Sequence, residues 1–252
     1  MRVDLGAPGT MDIRIYSCLD GAANASGTVL VIDVYRAFTC QALAFANGAR
    51  KVLLTDDPEE ALRWKAEGRG DLTMGEVSHQ GKYEETGFDF DNSPRNFYHH
   101  DVSGMTLIQR TSSGVAGIHA AAPGATALYA VSFLVAEATV QAVLRRNPER
   151  VSLVAMGAWG YRTDEDELCA TYLRSRLQER QPDLEAVRSL VRAGNSYAWY
   201  EDYPDDGYPS DAEIGLQFDL CDFAIKVQEE GGILVSRPVD PESGVDIQKN
   251  SG

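Results

Sequence analysis

The sequence predicts an α/β protein: a mostly parallel sheet with helices on both faces. Three observations carry this expectation. Short apolar runs rich in β-branched residues alternate with longer helical patterns, the mark of strand–helix–strand units. Turn residues separate the runs at regular intervals. A weak internal repeat lays 28–55 over 104–131 without a gap. It pairs Ile32 with Ile108, Ala44 with Ala120 and Gly48 with Gly124. The repeat suggests two related α/β subdomains with a site in the crevice between them. The length, 252 residues, fits a single compact unit over 1–252.

The elements follow in chain order. Thr28 to Ile32 (TVLVI) is a buried strand. Thr39 to Ala46 is a helix, closed by Asn47-Gly48. Lys51 to Leu54 is a strand, and Pro58 to Glu67 is a charged helix with proline in its first turn. Leu72 and Met74 lead to a strand end at Gly75-Glu76. Met105 to Ile108 is a strand, and Val115 to Ala122 is a helix stopped by Pro123-Gly124. Ala127 to Val131 is a strand, Leu134 to Arg145 a helix, and Val151 to Met156 a strand. A helix follows from about Glu165 to Glu179. Asn195 to Asp211, rich in Tyr, Asp, Pro and Gly, reads as an exposed acidic loop. Ile214 to Val227 reads as helical, Ile233 to Ser236 as a late strand, and the tail from Asp240 as frayed.

Composition narrows the function. Acidic residues number 38 against 23 basic ones, for a net charge of −15. A nucleic-acid or anionic-membrane partner requires a basic face, and no cluster of Lys and Arg exceeds a pair. Met1 to Gly9 lacks an apolar core and does not read as a signal peptide. Val115 to Leu144 is broken by Pro123-Gly124 and charged at Glu137, so it does not span a membrane. Cys18, Cys40, Cys169 and Cys221 form no C-x-x-C pair. They read as free thiols of a cytoplasmic protein, with a homo-oligomer allowed.

In open α/β sheets, ligands bind beyond the carboxyl ends of the strands. That rule selects Asp33 to Arg36, Arg110 to Gly114, and Gly157 to Asp166. Asp33 can hold Mg²⁺, attack as a nucleophile or act as a base, and it can equally cap a helix. Arg36 can pair with Asp33 or clamp an anion. Thr111, Ser112, Ser113 and Gly114 open a helix, where N–H groups and hydroxyls cradle anions or merely cap. Thr163 to Glu167 puts carboxylates in a first helical turn, favoured by the dipole alone. Asp166 turned inward could join Asp33 at a metal, with Arg162 beside them as a second cation. Glu76 is a third candidate ligand. Gly87 to Pro94 carries the oxygen donors Asp89, Asp91 and Asn92, or is a surface turn. His79, His99, His100 and His119 lack zinc spacing. His99-His100 reads as loop and His119 as structural. No P-loop, G-x-S-x-G or G-x-G-x-x-G motif occurs.

Six segments, in order, resemble the 2-phosphosulfolactate phosphatase family. They are Val31–Thr39, Ala46–Ala49, Gly75-Glu76, Gly87–Pro94, Thr106–Gly114 and Gly157–Cys169, with a weaker echo over 214–224. The resemblance spans roughly 28–235. It implies a Mg²⁺-dependent α/β phosphatase that hydrolyses a small anionic phosphomonoester such as 2-phosphosulfolactate, a step towards coenzyme M. By the same resemblance Asp33, Glu76 and Asp166 hold the metal. Asn92, Ser93, Arg110, Thr111, Ser112, Ser113 and Gly114 receive the substrate with Arg36 and Arg162. The chain departs from the pattern at Val77, Asp91, Ser113, Val115 and Ala116, which removes two expected arginines. The alternative is a non-catalytic relative that binds an anionic metabolite or a protein. A haloacid-dehalogenase mechanism is disfavoured, since it wants Asp two residues after Asp33 and position 35 is Tyr.

Overall fold

The computed structural model describes residues 11–76, 87–202 and 206–247. The departure at Val77, His79, the start before Met11 and the last five residues lie outside the described residues.

Nine strands form one sheet. They are β1 (Asp12–Ser17), β2 (Gly27–Ile32), β3 (Lys51–Leu54), β4 (Leu72–Gly75), β5 (Thr106–Arg110), β6 (Ala125–Val131), β7 (Arg150–Ala155), β8 (Ala224–Glu230) and β9 (Ile233–Val239). The order across the sheet is β1-β7-β2-β6-β8-β9-β3-β5-β4. β1, β7, β2 and β6 are mutually parallel, and so are β3, β5 and β4. The β8–β9 hairpin joins the two blocks through three successive antiparallel pairings. Three reversals make the two parallel blocks run in opposite directions.

The helices are α1 (Cys18–Ala23), α2 (Ala37–Ala46), α3 (Pro58–Ala66), α4 (Asn96–His99), α5 (Gly114–Ala121), α6 (Ala136–Arg146), α7 (Asp164–Leu177), α8 (Leu184–Arg192) and α9 (Asp211–Gly215). The expected α/β alternation is therefore present. β2 and β7 are buried in near-continuous runs, as strands covered on both faces are. α1 packs with α5, and α6 packs with α7, over the first block. Phe38, Phe133, Leu30, Ile32, Leu153 and Met156 are fully buried there. Each such side chain contributes about 1.5–3 kcal/mol.

Both repeats connect the blocks. β2 leads through α2 to β3 in the second block, and β5 leads through α5 to β6 in the first. α2 and α5 therefore both begin at strand ends, and Gly114 and Ala37, their first residues, meet directly.

Several expectations need correction. Residues 214–227 are not one helix: α9 ends at Gly215 and β8 begins at Ala224. Between them Asp219 takes a left-handed backbone (φ 56°). The Asp219 and Cys221 N–H groups donate to Phe133 O and Leu134 O rather than to a helix ladder. The tail is not frayed over 240–247. Asp240 N–H donates to Val245 O, Ile247 N–H donates to Pro238 O, and the Asp240 carboxylate accepts from Glu242 and Ser243. His99 closes α4 rather than lying in a loop. β1, α1, α4 and α8 are further elements that the sequence pattern does not mark.

Candidate active site

Asp33 follows β2 directly and is buried (4 % exposed). Its carboxylate accepts from the Ala37 N–H at 3.0 Å, so it does cap α2. It also receives the Gly114 N–H at the start of α5. Two helix N-termini thus converge on one carboxylate. A Cβ at position 114 would lie 2.7 Å from Asp33 Oδ2, so glycine is what allows this approach. Burial outweighs these hydrogen bonds and pushes the Asp33 carboxyl up to about 7, with Glu76 and Glu165 repelling it further.

Glu76 follows β4. Its Oε2 accepts from Ser112 Oγ at 2.7 Å, and its Oε1 accepts from Asn92 Nδ2 at 3.3 Å. Asn92 is buried, and its Oδ1 has no hydrogen-bond partner among the described residues. Thr111 Oγ1 accepts from the Val115 N–H at 3.0 Å and so caps α5. Ser113 accepts through its carbonyl from Gly117 N–H at 2.7 Å.

Asp166 lies in the first turn of α7 and is fully buried. Its two oxygens accept from Val34 N–H and Gly157 N–H, both at 2.8 Å. The carboxylate therefore fastens the end of β2 to the turn after β7. Burial, with Glu165 and Asp33 nearby, raises the Asp166 carboxyl well above the usual range. Glu165 is likewise pushed up by burial, while Thr163 and Ser196 hydroxyls bind it.

The arginines separate. Arg36 Nη1 meets Asp211 Oδ2 at 2.7 Å, and its guanidinium lies 4.8 Å over the Tyr200 ring. Arg110 donates to the carbonyls of Asp56 (3.1 Å) and Glu76 (2.8 Å). Arg162 stands in solvent, where both Glu167 oxygens take it at 2.7 and 2.8 Å. Arg36 thus stays with the carboxylates, Arg110 braces the backbone and Arg162 faces outward. Ser93 donates to Asp211 Oδ1 at 2.7 Å. Of the other oxygen donors expected in 87–94, Asp89 binds Thr73 and Lys65, and Asp91 binds Ser93 N–H and Asn96. The segment is also not a surface turn, because Phe88, Phe90, Asn92 and Ser93 are buried.

Sequence reasoning missed three residues here. Asp211 is completely buried between Arg36 and Ser93. Tyr200 covers Arg36, and its hydroxyl is raised by burial with Asp33, Glu76 and Glu165 in range. Arg95 is buried and binds Asp206 and the carbonyls of Tyr208 and Pro209. Most of these partners come from the described parts of 195–211: Tyr200 and Asp211 turn toward the site, while Glu201, Asp202 and Asp206 are exposed as an acidic loop should be. The one available signal was its density of Tyr and Asp.

A model of the family described as 2-phosphosulpholactate phosphatase matches residues 16–203. The chain belongs to that family. Its members are phosphoric monoester hydrolases, and the match contains the strand ends that carry Asp33, Glu76, Arg110 and Gly157, together with Asp166, but not Asp211. Among relatives, a probable 2-phosphosulfolactate phosphatase of Bacillus subtilis is 30 % identical over 228 residues, covering 88 % of this chain and 96 % of its own. One of Clostridium acetobutylicum is 31 % identical over 201 residues, covering 77 % and 84 %. One of Caldicellulosiruptor saccharolyticus is 27 % identical, covering 77 % and 86 %. All four cysteines are free, and no helix among the described residues is long and apolar enough to cross a membrane.

Proposed function

We propose that the chain is a Mg²⁺-dependent phosphatase acting on a small anionic phosphomonoester, with 2-phosphosulfolactate the first candidate. The observation that carries this reading is the meeting of the α2 and α5 N-termini at the buried carboxylate of Asp33, with Glu76 bridged to the same turn by Ser112. Helix N-termini suit phosphoryl oxygens. The buried carboxylate of Asp33, which makes no ion pair among the described residues, suits a metal.

Among the described residues no three Asp, Glu, His or Cys side chains converge to hold an ion by themselves. Mg²⁺ does not require three, since it takes one or two carboxylates and completes its shell with water and substrate phosphate. Asp33, Glu76 and the unpartnered Asn92 Oδ1 form an all-oxygen donor set of that kind. Asp166 keeps the strand ends in place for them. When bound, the ion would neutralise phosphoryl charge and favour attack by water. The chain's own contribution is positioning. The hydroxyls of Thr111 and Ser113 orient phosphoryl oxygens, Arg36 meets the substrate's second anion, and Tyr200 screens the guanidinium from water. The four free cysteines agree with a reducing cytoplasm.

A second reading has one observation in its favour: Arg110 and Arg162 are both spent on other partners. It makes the chain a relative that binds an anionic metabolite without turnover. Phosphate release from 2-phosphosulfolactate, phospholactate and an aryl phosphate separates the two. Release that stops with EDTA and in Asp33→Asn is expected. A folded protein that releases nothing from all three would favour the binder.

A further inference from the structure

Two tryptophans stand in solvent next to the site. Trp159 is 56 % exposed and Trp199 is 49 % exposed, yet their rings pack with centroids 5.0 Å apart. They come from separate loops. Trp159 lies in the turn after β7, and Trp199 in the short turn 197–199. Single exposed apolar side chains are ordinary, whereas a contiguous patch marks a contact surface. Tyr161, also exposed, is carried on the Trp159 turn, which closes by hydrogen bonds between Ala158 and Tyr161. Trp159 has a left-handed backbone (φ 53°), which bulky residues rarely adopt, so the turn presents this indole at a conformational cost.

The patch is continuous with the site. The Trp199 ring is 6.4 Å from Tyr200, which in turn carries Arg36 at 4.8 Å. Tyr200 also packs on Tyr35, two residues beyond Asp33, with ring centroids 5.4 Å apart. A path of aromatic surface therefore leads outward from the carboxylates. Cations do not line it in the same way, because Arg110 and Arg162 are engaged by other groups.

We propose that Trp159 and Trp199 form an apolar shelf at the mouth of the site that takes the organic part of the phosphomonoester. The shelf then favours phosphomonoesters with a planar or extended apolar group over 2-phosphosulfolactate, which has none and uses only the anion-binding part of the site. This rests on the phosphatase reading for turnover, but not for binding. The indole planes meet at 46°, so an incoming ring adds to an exposed face or edge, the arrangements aromatic groups favour.

The test uses two uncleavable ligands, 1-naphthylphosphonate and methylphosphonate, titrated by calorimetry with Mg²⁺ present. The wild-type protein should prefer the naphthyl ligand about tenfold, the size of one stacking contact. Trp159→Ala and Trp199→Ala should each remove most of that preference, and Trp199→Phe, which keeps a ring, should retain much of it. Melting curves verify that each variant is folded. The ratio of kcat/KM for 1-naphthyl phosphate over phospholactate should fall in parallel. No preference in the wild-type protein, or a preference that survives both alanine variants, overturns the shelf. So does equal weakening of both ligands, which would mean the pair only ties two loops together. If the wild-type protein cleaves neither ester nor 2-phosphosulfolactate, the phosphatase reading fails and the phosphonate titration still decides the shelf.

Discussion

Changing Asp211 to Asn keeps the shape of the side chain and removes only its charge. Buried ion pairs are weak sources of stability, yet breaking one costs about 3–5 kcal/mol. The Arg36 side chain is 18 % exposed, so water recovers part of that loss. Asp211→Asn should therefore destabilise by about 2 kcal/mol in chemical denaturation. It should also raise KM for phospholactate more than for an aryl phosphate, because the guanidinium is no longer fixed where the second anion sits. Equal KM changes for both substrates would remove Arg36 from anion recognition. Gly114→Ala tests the approach of the two helices. In an open helix this change stabilises by about 1 kcal/mol. Here the new Cβ would stand 2.7 Å from Asp33 Oδ2 and 2.8 Å from Ala37 Cβ. A loss of about 1–3 kcal/mol from overpacking is expected instead. Phosphate release should fall about 100-fold, as displacement of a reacting group by an ångström does. A variant as active and stable as the parent would show that α5 can move freely. Residues such as Asp33, Glu76 and Asn92 could be read from the sequence because each follows a strand end or a turn signal. Asp211, Tyr200 and Arg95 could not. Asp211 and Tyr200 act from a segment with no periodicity, and only the folded chain brings them to Arg36, while Arg95 follows the Asn-Ser-Pro turn and reaches Asp206, Tyr208 and Pro209 of that segment.

The β8–β9 hairpin carries its own pH dependence. Arg237 hydrogen bonds both oxygens of Glu230, at 2.6 and 3.0 Å, and Lys51 adds a longer contact at 3.4 Å. Arg237 above all holds the Glu230 carboxyl down at about 2. A depressed folded value means that the unfolded chain takes up its proton first as pH falls. The contribution is complete above about pH 5 and is lost between about pH 5 and pH 2. These side chains keep some contact with water, so it is worth about 1–2 kcal/mol. Glu230→Gln should lose that amount at neutral pH and flatten the acid limb of the stability curve. An unchanged acid limb would assign the effect to other carboxylates. The same hairpin explains the misread helix over 214–227. Its apolar residues are dense enough for either periodicity, and the outcome is set by β6 on one side and β9 on the other. Strand preference depends on such neighbours more than on the local sequence. The strands TVLVI, KVLL and VSLVAM were legible because they are buried on both sides and read the same in any register.

At the scale of the whole molecule, one sheet carries both parallel blocks, and the hairpin is their joint. Val235 in β9 is buried against Leu53 and Gln228 at that joint. Val235→Ala should cost about 2 kcal/mol. At this size that lowers the melting temperature by about 4–8 °C. The calorimetric peak should stay single and shift as a unit. Two resolved peaks would show that the blocks melt separately and that 1–252 is not one cooperative body.

The strand order has a consequence for how the molecule comes into being. β1, β2, β3 and β4 are all encoded before residue 76, and none of them hydrogen-bonds another. Each waits for a neighbour made later: β7 for β1, β6 and β7 for β2, β5 and β9 for β3, β5 for β4. A ribosome that has delivered the first hundred residues has delivered four strands with every edge open. Such edges invite pairing with other chains. Separately expressed pieces divided after Asp101 should accordingly be insoluble alone and recover a folded protein only when produced together. The nascent chain thus keeps these edges unpaired until its second half emerges.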